Sequence, residues 1–283
     1  MSRTVYVNGT YYREEEAKIS IFDRGFIFAD GVYEVASVLD GKLLDATAHL
    51  VRLERSLKAL KITAPATQAE IITIMRQLIS KNTLEEGLVY LQVTRGAADR
   101  DFAFPTQAEP SLVLFTQDKK LIDSSAADRG ISVIFTEDIR WGRRDIKTIQ
   151  LLAPVLAKQQ ATEAGKDDAW LVMDGMVTEG SSNNAYIIKD KTIITRQLSN
   201  DILHGITRAS VLKLAEEKNM RIEERGFTPE EARQADEAFI TSASTFVMPV
   251  VEIDGTPIGD GKPGTTTQRL RQIYIENALN TLE

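Results

Sequence analysis

The chain has no cysteine and only two histidines, His49 and His204, among its 283 residues. Without cysteine it can form neither a disulfide framework nor a thiolate nucleophile. Two histidines are too few for a zinc site of the usual composition and argue against a Ser-His-Asp hydrolase. No apolar run approaches the roughly 20 residues that cross a bilayer. The sequence therefore predicts no metal site and no membrane partner.

An excess of basic residues is also missing. Lysine and arginine number 34 against 41 aspartates and glutamates, for a net charge of −7, which argues against a nucleic-acid partner. The first residues carry charges such as Arg3 and Arg13 and lack the apolar core of a signal peptide. We therefore expect a cytoplasmic protein.

The hydrophobic content of 43% is ordinary for a globular protein and is sufficient for a proper core. Strand and helix patterns alternate without a regular βαβ rhythm, which predicts an α+β fold. We expect a small N-terminal domain at residues 1–118, a linker at 119–130 and a larger C-terminal domain at 131–283. The predicted helices lie at 46–61, 67–80, 148–164, 206–219, 229 onward and 266–282. The second begins with a predicted capping box, Thr67 with Glu70. Three hairpins are predicted, at 5–12 with a turn at Asn8-Gly9, at 32–44 with a turn at Asp40-Gly41, and at 184–195. The other predicted strands lie at 88–94, 111–116, 131–136, 169 onward, 237–241 and 250–253.

One stretch, residues 137–152, places three arginines around Lys147, which is flanked by Ile146 and Ile149. Taken alone, such a stretch is most often a solvated basic turn. A lysine that is partly desolvated and crowded by cations is also the kind that forms Schiff bases. Lys147 is therefore a candidate catalytic residue.

Three further segments could contact a cofactor that carries a phosphate and a heterocyclic ring. Gly205-Ile206-Thr207 opens a predicted helix, whose first amides suit a phosphate. The hydroxyl-rich run 241–245 follows an apolar strand, and Glu179 ends another strand, where a carboxylate could keep a heterocyclic nitrogen protonated. Each signal is weak alone. Gly259, Gly261 and Gly264 match the dinucleotide-binding pattern literally, but no long buried strand precedes them, so we reject that interpretation.

Taken together, these segments resemble the fold-type IV pyridoxal-phosphate aminotransferases, over nearly the whole chain and in the right order. The motifs that carry the resemblance are Asp23-Arg24-Gly25, Asp30 to Val35, His49 to Leu53, Asp145-Ile146-Lys147, Thr178 to Asn183 and Gly205 to Arg208. Leu151-Leu152 after the lysine is similar to the D-amino-acid branch. The branched-chain branch typically has Gly-Asn-Tyr there.

The resemblance implies a two-domain enzyme with pyridoxal 5'-phosphate between the domains and roles for individual residues. Lys147 forms the Schiff base and moves the proton, and Glu179 pairs with the ring nitrogen. The remaining cofactor-binding residues implied are Arg52, Arg140, Leu203, Ile206, Thr207, Ser242 and Ala243. The implied substrate-binding residues are Tyr33, Val35, Arg100, Phe102 and Ser182.

Two positions depart from the family pattern. The D-amino-acid branch commonly traps the substrate carboxylate with Arg-x-His, and here Arg100 is kept while Phe102 replaces the histidine. Losing that donor removes about 1–3 kcal/mol of hydrogen bonding to a carboxylate. An aromatic ring could instead accept apolar substituents, as in related (R)-selective amine transaminases. Ala243 stands where the family often has a phosphate-binding threonine, and Ser242 or Ser244 could compensate.

The function implied is transfer of an amino group from a D-amino acid to a 2-oxo acid such as 2-oxoglutarate or pyruvate, by a homodimer in which Arg100 acts across the interface. The alternatives are an (R)-amine transaminase, an aminodeoxychorismate lyase of the same family, and a non-enzymatic vitamin-B6-binding protein. Lys147 and Glu179 argue against the last of these.

Overall fold

The structure, a computed structural model, describes residues 2–283 and divides into two compact units. The first unit comprises residues 2–120, 146–150 and 281–283, and the second comprises residues 121–145 and 151–280. The short stretch around Lys147 thus groups with the first unit, although the chain on both sides of it belongs to the second.

The first unit is an antiparallel sheet with helices. Its elements are β1 (Thr4–Val7), β2 (Thr10–Arg13), α1 (Arg24–Phe28), β3 (Gly31–Leu39), β4 (Lys42–Leu44), α2 (Ala46–Leu60), α3 (Gln68–Lys81), β5 (Gly87–Thr94) and β6 (Ser111–Asp118). The strand order is β2-β1-β6-β5-β3-β4. Asn8 and Gly9 both have positive φ, 45° and 94°, as the predicted Asn-Gly turn requires.

Two amphipathic helices pack on this sheet, α2 against β3 and α3 against β1. Leu50, Leu53 and Leu57 of α2 are buried at helical spacing. Helix α3 begins with the predicted capping box, in which Thr67 and Glu70 exchange side-chain and backbone hydrogen bonds. The predicted helix positions were correct because both signals are local.

Residues 146–150 form an extended segment beside the start of β3. The Tyr33 amide donates to the Lys147 carbonyl at 3.0 Å, and the Ile149 amide donates to the Gly31 carbonyl at 3.1 Å. Strand β4 pairs with β3 only from Ser37 onward, so this segment occupies the edge that β4 leaves open. The helix predicted from Thr148 was therefore wrong in its start, because sheet pairing overrides helical propensity here.

The second unit contains a larger mixed sheet. Its elements are α4 (Ser125–Arg129), β7 (Ile131–Glu137), α5 (Leu152–Glu163), β8 (Asp168–Met173), β9 (Met176–Gly180), β10 (Asn184–Lys189), β11 (Thr192–Thr195), α6 (Ile206–Glu217), β12 (Arg221–Glu224), α7 (Pro229–Arg233), β13 (Glu237–Ser242), β14 (Phe246–Ile253), β15 (Thr256–Pro257) and α8 (Thr265–Asn280). The segment predicted as a linker, 119–130, contains α4 and crosses the boundary between the units at Lys120.

The strands of the second unit run in the order β12-β11-β10-β13-β14-β7-β8-β9, with β15 on β14. Strand β7 lies parallel to both of its neighbours, whereas most other pairs are antiparallel. Buried Trp170, Val177 and Phe227 belong to one apolar core. The mixture of hairpins and parallel pairs is the predicted α+β architecture.

The glycine pattern at 259–264 leads into α8, whose first amides are already bonded. Glu237 accepts from the Thr266 amide at 3.0 Å and from the Thr267 amide at 2.8 Å. A side-chain carboxylate therefore occupies the place that a phosphate would take. Within residues 2–283, no helix is long and apolar enough to cross a membrane.

Candidate active site

In the second unit, Glu179 on β9 is a deeply buried carboxylate, 3% exposed. Its two oxygens accept the Leu203 amide, each at 3.1 Å, and one accepts the Asn184 side-chain amide at 2.9 Å. The Arg140 guanidinium donates to the other at 2.5 Å. The structure thus brings three residues predicted for the cofactor, Glu179, Leu203 and Arg140, into contact.

The charge of Glu179 depends on a balance between burial and one cation. Burial raises the pKa of Glu179 above its usual value, although the Arg140 guanidinium and the Leu203 amide act in the opposite direction. A carboxylate in such a position ionises fully only where a cation or a protonated heterocycle faces it. Arg140 is that cation in the second unit.

Arg140 is itself held by Asp138, two residues earlier. Its Nε and Nη2 donate to the two Asp138 oxygens at 2.9 and 2.7 Å. Burial acts to raise the pKa of Asp138, but the hydrogen bonds and charges of Arg140, Thr178 and Arg144 outweigh it and hold the pKa below its usual value. Asp138 is therefore an anion beside Arg140 at neutral pH.

Helix α6 begins next to the same network with an uncapped end. Gly205 is its N-cap and supplies no side-chain hydrogen bond to the helix. A Cβ on Gly205 would lie 2.1 Å from the Asn184 side-chain oxygen, so a glycine is required for this close approach. Thr207 is buried in the first turn. The helix start therefore presents backbone amides, together with a threonine hydroxyl, beside the Asn184 side chain that also bonds Glu179.

The hydroxyl-rich turn after β13 belongs to the same region of the second unit. Thr241 lies opposite Asn184 across the β10–β13 pair. The Ser242 and Thr245 hydroxyls are 2.8 Å apart. The Arg271 guanidinium on α8 donates to the Thr245 and Val247 carbonyls, each at 2.9 Å, which holds the turn in place. Ser242 and Ala243 are half-buried there.

In the first unit, Lys147 is half-buried between the buried residues Ile146 and Thr148. Its amine lies 4.1 Å from the centre of the Tyr33 ring, a cation–π distance. Tyr33 stacks on Tyr90 with ring centres 5.6 Å apart. The extended segment described above therefore presents the lysine over the aromatic face of the sheet.

Arg52, predicted to hold a phosphate, makes a buried ion pair with Glu34 in the first unit. Its Nε and Nη2 donate to the two Glu34 oxygens, each at 2.7 Å, and His49 Nδ1 lies 2.7 Å from one of them. Burial acts to raise the pKa of Glu34, but Arg52 and His49 outweigh it and lower the pKa to about 2. The phosphate role of Arg52 stays a prediction.

The residues predicted to bind substrate lie in different surroundings. Tyr33 and Val35 share one face of β3, with Glu34 on the other. The Phe102 ring is 77% exposed, and the guanidinium carbon of Arg100 lies 5.4 Å from its centre. Ser182 is exposed in the second unit, in the turn after β9.

Comparison with known proteins gives the family. The model of the class IV amino-transferases matches residues 31–253, which is most of the chain.

The chain belongs to the class IV aminotransferases.

D-alanine aminotransferase of Staphylococcus aureus is 40% identical over 279 residues, covering 96% of this chain and 98% of that protein. The Bacillus licheniformis D-alanine aminotransferase is 38% identical over 275 residues, covering 97% and 96%. Among solved structures, a branched-chain amino acid aminotransferase of T.th. with pyridoxamine 5'-phosphate superposes with a TM-score of 0.91 at 25% identity, covering 99% of this chain and 95% of that one. The two-domain α+β fold expected from the resemblance is thereby confirmed.

Three residues of this class IV aminotransferase were missed in the sequence. Glu34 is a lone acid in a mostly apolar strand, and Asp138 is an acid directly after β7. Either position signals a buried charge that needs a partner. Asn184 carried no comparable signal, because its role depends on the close approach of Gly205 and Leu203, which are distant in sequence.

Proposed function

We propose that this class IV aminotransferase moves the amino group of a D-amino acid to a 2-oxo acid, using pyridoxal 5'-phosphate. The observation that carries the transaminase chemistry is Glu179, a buried carboxylate bonded by the Arg140 cation at one oxygen and by the Asn184 side chain at the other. The D-amino-acid specificity is supported by the D-alanine aminotransferases, which are 38–41% identical over nearly their whole length.

The residues of the second unit fit this cofactor. Glu179 would face the ring nitrogen, and the Ile206 and Thr207 amides, the Thr207 hydroxyl and the Ser242-Ala243 turn would hold the phosphate. The glycine at 205, where a Cβ would collide with Asn184, leaves no side chain at the N-cap position of the helix. Leu203 would pack against one face of the ring. When bound, the cofactor supplies an electron sink for the bond to be broken.

Lys147 is the proposed base. Its Nζ would hold the aldehyde carbon of the cofactor between turnovers and then carry a proton away from the substrate α-carbon. The centre of the Tyr33 ring lies 4.1 Å from that amine, and the ring restricts the rotamers open to the lysine side chain. Arg52 in the first unit would contribute positive charge toward the phosphate, with Glu34 fixing its orientation.

The test is the visible absorption spectrum of the protein loaded with pyridoxal phosphate, before and after D-alanine is added without any oxo acid. We expect the band of the lysine-bound cofactor to be replaced by that of the pyridoxamine form with D-alanine and to persist with L-alanine. A protein that shows no such band after cofactor addition would contradict the cofactor proposal. Conversion by L-alanine alone would contradict the proposed stereochemistry.

An (R)-amine transaminase is the second candidate, and Phe102 favours it. The ring is 77% exposed and lies 5.5 Å from the Phe28 ring, so it presents an apolar surface where the related branch has a hydrogen-bond donor. Arg100 beside it favours a carboxylate substrate instead. If only an (R)-arylalkylamine converts the cofactor band, this second candidate replaces the first.

A further inference from the structure

We propose that Asp138 is a positioning residue, which holds Arg140 against Glu179 so that Glu179 remains an ionised partner for a protonated ring nitrogen. The inference rests on the proposed function, because it assigns Glu179 to the cofactor ring. It concerns a residue that was not predicted for the site and whose side chain is fully buried against Arg140.

Asp138 accepts three hydrogen bonds from Arg140, two of them from the guanidinium. Two side-chain nitrogens donate to its two oxygens at 2.9 and 2.7 Å, and the Arg140 backbone amide donates at 3.2 Å. A guanidinium held by two parallel hydrogen bonds has its plane fixed. The third nitrogen, Nη1, is thereby directed at Glu179, 2.5 Å from the carboxylate.

Asp138 also holds the strand that carries Glu179. The Thr178 hydroxyl, one residue before Glu179 on β9, donates to an Asp138 oxygen at 2.7 Å. The Arg144 guanidinium lies 3.3 Å from the same Asp138 oxygen. Its other side lies 3.6 Å from a carboxylate oxygen of Asp201. The buried Asp138 carboxylate therefore bonds both Arg140 and the strand that carries Glu179.

The negative charge of Asp138, by itself, disfavours the ionised form of Glu179. A second anion nearby raises the pKa of Glu179, as does burial. The favourable effect can therefore act only through Arg140. Removing the charge of Asp138 should strengthen the ionised form of Glu179 if Arg140 stays in place, and weaken it if Arg140 moves away. This opposition of signs makes the proposal testable.

The experiment measures equilibrium dissociation constants, not turnover. Wild type and Asp138→Asn are titrated with pyridoxal phosphate and with its deaza analogue, in which a C–H group replaces the ring nitrogen. We expect wild type to prefer pyridoxal phosphate, and Asp138→Asn to reduce that preference about tenfold, which corresponds to about 1.4 kcal/mol. A merely structural role would weaken both ligands equally and leave the ratio unchanged.

Two further variants complete the design. Asp167→Asn removes an aspartate of the second unit that pairs with Arg129 and lies outside the site residues, and its ratio should equal that of wild type. Arg140→Lys keeps the positive charge but has one nitrogen, so it cannot pair with both Asp138 oxygens and also reach Glu179. Arg140→Lys should lose the preference for pyridoxal phosphate over the deaza analogue, as Asp138→Asn does. It provides the test if Asp138→Asn does not fold.

The outcomes separate the two proposals. If wild type prefers pyridoxal phosphate and both Asp138→Asn and Arg140→Lys keep the full preference, Asp138 has no positioning role and only this inference fails. If wild type binds pyridoxal phosphate and its deaza analogue equally, Glu179 does not serve the ring nitrogen, and the assignment of Glu179 fails together with the inference. A selective loss in the variants supports both.

Discussion

At the scale of single residues, Lys147 and Glu179 are held by opposite means. The amine of the half-buried Lys147 lies 4.1 Å from the centre of the Tyr33 ring. Glu179 accepts hydrogen bonds from Arg140, Asn184 and the Leu203 amide, which hold it rigidly. A base that moves a proton needs mobility, whereas an acid that stabilises charge needs a fixed position.

We expect Lys147→Ala to reduce transamination of D-alanine by about 10³-fold or more, because general acid–base catalysis alone contributes about 10² to 10⁴. Steady-state rates with a 2-oxo acid acceptor measure this. The matched control is Lys120→Ala, which removes an exposed lysine of the same unit paired with Glu86 and should be silent. Full turnover in Lys147→Ala would contradict the catalytic assignment.

Phe102 is the residue that we expect to set substrate preference. Phe102→His should raise kcat/KM for D-alanine by about tenfold and lower it for an (R)-arylalkylamine, because the imidazole adds a donor for the carboxylate and removes an apolar surface. Phe104→His, in the same loop, is the control. The centre of the Phe104 ring lies 3.6 Å from the Arg95 guanidinium carbon. Equal shifts in the two variants would argue against a specific role of position 102.

At the scale of elements, strand β3 places functional side chains on both faces of its sheet. Tyr33 and Val35 lie on one face, and Glu34 on the other reaches Arg52 and His49 of α2. The two α2 residues are three positions apart, so they share a helix face. One carboxylate thus joins the strand to the helix that carries Arg52.

Glu34→Gln should destabilise the protein by about 3 kcal/mol at pH 7, because its pKa falls from 4.5 to about 2 on folding. A carboxyl group with a lowered folded pKa stabilises the protein above its unfolded pKa and loses that contribution as the pH falls toward the folded value. The difference between variant and wild type should therefore shrink below about pH 4.5.

Denaturant unfolding of both proteins as a function of pH measures this difference. Glu70→Gln, which alters the exposed carboxylate that accepts from the Thr67 amide in the α3 capping box, should show a smaller loss at pH 7. A difference for Glu34→Gln that stays constant from pH 7 to pH 3 would mean that lost packing, not charge, explains the destabilisation.

At the same scale, the elements that could be predicted from sequence are those with local signals. The Asn8-Gly9 turn and the Thr67 capping box were correct within about a residue. The helix predicted from Thr148 begins at Leu152, because the preceding residues pair with β3, more than a hundred positions earlier. Local propensity contains no information about that partner.

At the scale of the whole molecule, we expect a homodimer. The first unit exposes large apolar side chains in two neighbouring segments, joined by the hydrogen bond from the Ala98 amide to the Phe22 carbonyl. These side chains are Ile19, Ile21, Phe22, Phe26, Phe102 and Phe104. An apolar surface of this kind commonly marks a protein interface.

Light scattering should therefore give about twice the chain mass of 31.5 kDa. Phe26→Glu should shift the mass toward that of one chain, because it places a charge on a ring that is 77% exposed. Leu279→Glu, on a 41% exposed leucine of α8, should leave the mass unchanged. A wild-type protein with the mass of a single chain would contradict the dimer.

The sequence by itself determined the Asn8-Gly9 turn, the capped start of α3 and the α+β class, because each depends on neighbours a few positions apart. The residues of the proposed site followed from the resemblance to a known family. Only the tertiary structure decided which residues hold these in place. Asp138 on Arg140, Asn184 beside Gly205 and Glu34 beneath Arg52 are contacts that depend on how the elements pack. Such contacts form only when strands and helices come together, since burial there requires every charge and amide to find a partner.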